Sequence, residues 1–135
     1  MTPTVIVLDT NFLLSCLDFQ VDIISELERL FPGLNRLVVA SEVVVELEKL
    51  ATTQKAMLPR IRLALDFIRS YCEIIPPSQA AEVSKSKVDD VILSLTQKLH
   101  GVIATNDQAL RKKSRANGIA SVFLRERAYL AVDGI

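Results

Sequence analysis

The 135-residue chain is the length of one domain, half of it is apolar, and its 16 basic side chains balance 16 acidic ones, so net charge alone names no partner. No apolar run is long enough for a membrane span, and no basic stretch followed by an apolar core and cleavage site marks a secretory leader. Cys16, Cys72 and the single histidine, His100, have no zinc-like spacing, and both cysteines fall in apolar patterns, as expected of small core residues in a reduced, cytoplasmic setting. The charges are unevenly spread: residues 1–50 carry eight acidic and three basic side chains, residues 51–135 eight and thirteen. An acidic front and a basic rear suit a metal site beside a phosphate-binding face, although ordinary solvated helix surface gives the same counts.

The first element is the run Val5-Ile6-Val7-Leu8, apolar throughout and rich in β-branched residues, which reads as a strand over 4–8 buried on both faces. A helix follows from about Thr10 to Leu17, and a second from about Asp22 to Leu30, ended by Phe31-Pro32-Gly33. Arg36 to Ala40 is the second strand. Ser41 is a good N-cap for a helix from Glu42 to about Leu50, after which residues 52–55 are polar and weakly organised. Pro59 fits the first turn of a helix reaching Tyr71, and Cys72 to Ile75 is a third strand stopped by Pro76-Pro77.

Residues 78–87 have the composition of a mobile loop beside a site. Ser86-x-x-Asp89 resembles a capping box opening a helix that ends near His100. Gly101 precedes a fourth strand, Val102 to Ala104. Thr105-Asn106-Asp107 then starts a helix that Asn117-Gly118 closes, and Ser121 to Leu124 is a fifth strand. The stretch Tyr129 to Val132 is apolar enough to pack or to add an edge strand. Strands alternating with helices long enough to cross over predict a parallel sheet covered on both faces, a three-layer α/β/α domain spanning 1–135.

Four acidic positions stand out. Asp9 and Asp107 follow strands one and four, so in a parallel sheet they share a rim; Glu46 and Asp89 approach that rim from flanking helices. Each has an ordinary reading: a cap for Asp9, an ion pair with Lys49 for Glu46, the capping box for Asp89, and a charge favoured by the helix dipole for Asp107. Together they would repel one another unless something neutralised them. The apolar stripe Val88, Val91, Ile92, Leu95, Leu99 puts Asp89 at its margin and Asp90 nearly opposite, so Asp89 is the better inward ligand. Oxygen-only donors suit Mg²⁺ or Mn²⁺, and one or two such ions can activate water at a phosphodiester.

These residues in this order resemble the PIN-domain family of metal-dependent ribonucleases. The likeness rests on Leu8-Asp9-Thr10-Asn11 and its apolar continuation, Glu46, Asp89-Asp90-Val91-Ile92, and Ala104-Thr105-Asn106-Asp107. The stretch Asp107 to Leu124, with Leu110-Arg111, Gly118-Ile119 and Leu124-Arg125, looks most like archaeal PIN proteins similar to ribosomal-RNA-processing endonucleases; the toxin ribonucleases of toxin–antitoxin pairs are a looser match. The resemblance implies a five-stranded parallel sheet ordered 3-2-1-4-5, a catalytic and metal-binding set of Asp9, Glu46, Asp89 and Asp107, bound Mg²⁺ or Mn²⁺, and RNA cleavage. Thr10, Asn11, Asp90, Thr105 and Asn106 fall around the acids as supporting polar groups. Many members carry a small apolar residue where Asp90 stands, in keeping with the helical argument for Asp89.

Arg111, Lys112, Lys113 and Arg115 follow Asp107 on one helix and are expected to hold the RNA backbone near the acids. A homodimer and an antitoxin or ribosome-assembly partner are compatible with the resemblance. One alternative is a catalytically inactive RNA-binding or scaffold domain of a larger assembly, with the basic helix as its main feature. A phosphoaspartate enzyme of the haloacid-dehalogenase type is a weaker one, because the second position of its Asp-x-Asp pair is Asn11 here.

Overall fold

The computed structural model describes residues 3–77 and 88–134. Its sheet forms around β1 (Thr4–Leu8), whose last three residues are buried. β1 pairs in parallel with β2 (Asn35–Ala40) on one side and β4 (Val102–Ala104) on the other. β3 (Cys72–Ile75) adds to β2, and β5 (Ser121–Arg125) adds to β4, both parallel. β6 (Tyr129–Asp133) turns back antiparallel on β5, giving the order β3-β2-β1-β4-β5-β6. The expected five-strand order is present, and the Tyr129–Val132 stretch takes the edge-strand option.

The crossover helices pack against the sheet. α1 (Thr10–Asp18), α2 (Ile23–Leu30), α3 (Ser41–Thr53) and α4 (Leu58–Tyr71) lie between β1 and β3 in the chain; α1, α3 and α4 pack on one another, while α1 also meets β5 and α2 meets β6. α5 (Val88–Lys98) and α6 (Gln108–Ala116) cover β1, β4 and β5. Each helix buries a stripe: Phe12, Leu13 and Cys16 in α1, Val43 and Leu47 in α3, Ile61, Ala64 and Ile68 in α4, Ile92 in α5 and Leu110 in α6. Burial pushes the Cys16 and Cys72 thiols up to about 12, so both stay protonated and inert, as small core residues do.

Local differences from the expected boundaries have simple causes. Ala40 rather than Ser41 stands at the cap of α3; Ser41 opens the helix and donates its hydroxyl to the Glu42 carboxylate instead. Residues 52–55 are better organised than their polarity suggests: α3 runs to Thr53, whose hydroxyl bonds back to the Lys49 carbonyl, and a 3₁₀ turn at Lys55–Met57 hands the chain to α4. The 78–87 stretch and the Ser86 capping box lie outside the described residues.

Helix ends are tied by backbone bonds. After α1 and α5 the chain enters the left-handed region at Gln20 (φ 56°) and His100 (φ 52°). The next residue, Val21 or Gly101, then donates back to the carbonyl five positions earlier, which satisfies the last orphan carbonyls. Along β6, the N–H of Leu130 donates to the Glu26 carboxylate (2.9 Å) and its carbonyl accepts from Arg29 (2.6 Å). Side chains of α2 thus cover backbone groups that an edge strand otherwise leaves open.

Gly101 controls the approach of β4 to β1. A Cβ there would stand 2.7 Å from the Val5 carbonyl oxygen, a backbone atom that cannot swing aside. Gly101→Ala is therefore expected to lose about 1–3 kcal/mol of stability, the usual range for overpacking, read as a lower urea midpoint with an unchanged slope.

Candidate metal centre

Asp9 stands at the tip of β1, where its N–H still belongs to the sheet, donating to the Ala104 carbonyl (2.9 Å). It is only 5% exposed. Its position is the N-cap of α1, so the bland reading is correct as far as it goes. The carboxylate, however, accepts from the adjacent Thr10 N–H (2.8 Å) rather than from deeper in the helix, and its other oxygen accepts from the Thr105 hydroxyl (2.8 Å) on the β4 side.

Three effects compete at this carboxyl. Burial penalises the charged form most; the bonds from Thr105 and Thr10 favour it; the charges of Asp89 and Glu46 oppose it. The balance raises its pKa from 3.8 to about 6. Asp9, Asp89 and Glu46 therefore form one electrostatic group. Asp89 is half-buried while Asp90 is exposed and faces Lys113 (3.8 Å), as the helical stripe predicts.

Asp107 is placed differently. It caps α6, accepting from the N–H groups of Ala109 (2.8 Å) and Leu110 (3.2 Å), and it is not among the charges felt at Asp9. Its link to the site runs through Thr105, whose hydroxyl oxygen accepts from the Asp107 N–H (3.1 Å) while donating to Asp9. Asn106 turns away from the acids. Its side-chain oxygen takes the Leu124 N–H (2.8 Å), extending the contact between the β4 end and β5, so it shapes the loop rather than the carboxylate group. Asn11 is exposed, and Thr10 is buried with its hydroxyl oxygen lacking a partner.

The donors present fit a hard divalent cation: they are oxygens only, they repel one another, and an unpartnered buried hydroxyl lies next to them. Among the described residues, no three His, Cys, Asp or Glu side chains are arranged to hold an ion as they stand. Mutual repulsion opposes a tight cluster of bare carboxylates, and magnesium needs only one or two of them.

The basic helix is less free than its sequence suggests. Arg115 pairs with Asp133 of β6, Arg111 lies 3.6 Å from the same carboxylate and 3.7 Å above the Phe123 ring, and Lys113 pairs with Asp90. Lys112 is exposed. Three of the four cations expected to face RNA thus have an acidic neighbour, Asp133 or Asp90, remote in sequence.

A family model described as a PIN-like domain matches residues 6–127. The chain belongs to that family. Ribonuclease VapC4 of Methanocaldococcus jannaschii is 29% identical over 135 aligned positions, covering 96% of this chain and 97% of that protein. The solved PIN-domain endonuclease Utp24 superposes with a TM-score of 0.80 at 24% identity, over 98% of this chain and 93% of its own. A domain of a functionally unknown Methanocaldococcus jannaschii protein follows with a TM-score of 0.61 at 18% identity, over 90% of this chain and 91% of its own. These structural likenesses carry the fold alone.

The raised pKa of Asp9 makes stability depend on pH. The folded chain holds this proton more tightly than the unfolded one, so the contribution is full below about pH 4 and is lost as pH rises through about 6. The metal-free protein is expected to lose on the order of 1–3 kcal/mol from this group between pH 4 and 7. Asp9→Asn should remove that slope and stabilise the chain near pH 7. Urea unfolding in chelator at pH 4.5 and 7.5, with parallel wild-type and variant slopes, would contradict this.

Proposed function

We propose that residues 1–135 act as one PIN-like domain that hydrolyses RNA phosphodiester bonds with the help of Mg²⁺ or Mn²⁺. The observation that carries the reading is the buried Asp9 carboxylate, coupled to Asp89 and Glu46 at the carboxyl rim of the parallel sheet. The ribonuclease named among its relatives and the solved endonuclease of the same fold support the reaction class. Asp9 and Asp89 would hold the ion, with Glu46 beside them and Asp107 completing the rim. When bound, such an ion supplies a water of lowered pKa and counter-charge for the phosphate oxygens.

The chain's own groups have separable tasks. The Thr105 hydroxyl and the Thr10 N–H fix both oxygens of Asp9, so the carboxylate is oriented before any substrate arrives. Asp107 orders the start of α6 and, through its N–H, the Thr105 hydroxyl. Burial of Asp9 keeps bulk water from screening its charge, which strengthens its demand for a cation. The specific role, ribosomal RNA processing or a toxin-type activity, belongs to the RNA that the chain selects.

Incubation with single-stranded and structured RNA in Mn²⁺, in Mg²⁺ and in chelator tests the reading. Cleavage is expected only with metal, and Asp9→Asn or Asp89→Asn should slow it at least ~100-fold while the chain stays folded. Asp90→Asn should be milder. Asp9→Asn protein cutting as fast as wild type in Mn²⁺ would sink the assignment; metal-independent RNA binding without cutting would identify an inactive RNA-binding domain of a larger assembly.

Lys112, exposed on α6, is proposed to contact the RNA backbone. Lys112→Ala should reduce the slope of log affinity against log salt by about one, whereas Arg115→Ala, already paired with Asp133, should change it less. Equal slopes for wild type and Lys112→Ala would return Lys112 to ordinary surface charge.

A further inference from the structure

The turn between β5 and β6 is built from residues that ordinarily avoid its conformation. Glu126 (φ 54°) and Arg127 (φ 55°) both lie in the left-handed region, and the Ala128 N–H closes the turn on the Arg125 carbonyl (3.1 Å). Two successive positive φ values are the signature of a turn that prefers Asn-Gly, and a non-glycine residue pays roughly 1–2 kcal/mol at each such position. A Glu-Arg pair there is locally unfavourable, so what its side chains do is the question.

Arg127 reaches across to the end of α1, where its guanidinium lies 5.4 Å from the centre of the Phe19 ring. Phe19 is 45% exposed, unusual for a residue its size. At the base of the same turn Arg125 stands opposite Tyr129, itself 37% exposed, in the strand register. The hairpin tip thus joins two arginines to two accessible aromatic rings, the combination on which unpaired bases stack and phosphates rest.

Its location ties it to the acidic rim. α1 begins next to Asp9 and is capped by Phe19; ten steps of about 1.5 Å along the helix put Phe19 roughly 15 Å from Asp9. β5 reaches the same rim, its Leu124 N–H bonded to Asn106 beside Asp107. A span of that length is one that a few nucleotides of single-stranded RNA could cover.

We propose that the β5–β6 turn and the end of α1 form a platform for unpaired RNA bases, with Phe19 and Arg127 at its centre and Arg125 and Tyr129 at its margin. The proposal rests on the ribonuclease reading for its choice of ligand. Glu126, the one carboxylate in the turn, works against it and serves as an internal control.

The test is fluorescence anisotropy of labelled single-stranded and duplex RNA of equal length, with the full chain at fixed salt in chelator, where cleavage does not compete. Phe19→Ala and Arg127→Gly are each expected to weaken single-strand binding on the order of ten-fold, and duplex binding distinctly less. Leu63→Ala, at an exposed apolar position on α4, should leave both unchanged. Glu126→Asn alone should preserve or raise affinity. Glu126→Asn combined with Arg127→Gly should raise the unfolding midpoint and still weaken single-strand binding, an outcome a purely structural turn would not give. Unchanged single-strand affinity in the Arg127→Gly variants, or equal losses on single strand and duplex, overturns the platform, as does a wild-type chain that binds no RNA. A chain that cuts RNA in Mn²⁺ while these variants bind normally refutes the platform alone; one that binds through these residues and never cuts refutes the nuclease reading alone.

Discussion

A carboxylate withdrawn from water beside two others is an unfavourable arrangement, and much of this molecule is arranged to hold it. Asp9 cannot move away, because its N–H is the last rung between β1 and β4. It cannot turn, because Thr10 and Thr105 hold one oxygen each. The central strand is buried on both faces, so the charge stands where two halves of the sheet meet, and the charges of Asp89 and Glu46 bear on it there. Burial and repulsion push the pKa up while hydrogen bonds pull it down, and the position near 6 is the residue of that contest.

The surroundings show a division of labour between charge and scaffold. Asn106 and Asp107 directly follow Thr105, the residue that holds Asp9, yet their side-chain oxygens serve backbone N–H groups of β5 and α6. These contacts make the β4 end rigid and thereby aim Thr105. The basic side chains of α6 are likewise partly enlisted in joining that helix to β6, through Asp133. A surface that reads as cationic in sequence is therefore more modest in space, and accessible arginine is found as much on the β5–β6 turn as on the helix.

Much of the fold was legible because its signals are local. The unbroken apolar run of β1 marks a strand buried on both sides, and the alternation with helices dictates parallel pairing. The choice of Asp89 over Asp90 follows from helical period alone, and their half-buried and exposed positions agree with it. What could not be read depends on contacts remote in sequence. The Asn106 side chain has two sides of a loop to choose from, and only the register of β5 decides. Arg111 and Arg115 meet a carboxylate on β6 that no helical spacing reveals. Phe19 follows the helix that the sequence ends near Leu17, and nothing in its neighbours shows that so large a ring stays 45% exposed. The 78–87 stretch lies outside the described residues.

The bond from Thr105 to Asp9 joins residues 96 positions apart. Ribosomes deliver a chain from its amino end, so Asp9 emerges long before the hydroxyl that orients it, and before β4 exists to pair with β1. During that interval the aspartate belongs to an incomplete sheet and stays wet, with an ordinary acidity and no fixed direction. The assembled acidic rim is thus a property of the nearly finished chain. On the ribonuclease function proposed above, this order of synthesis keeps the carboxylates unorganised for most of the time the chain spends on the ribosome, itself composed largely of RNA.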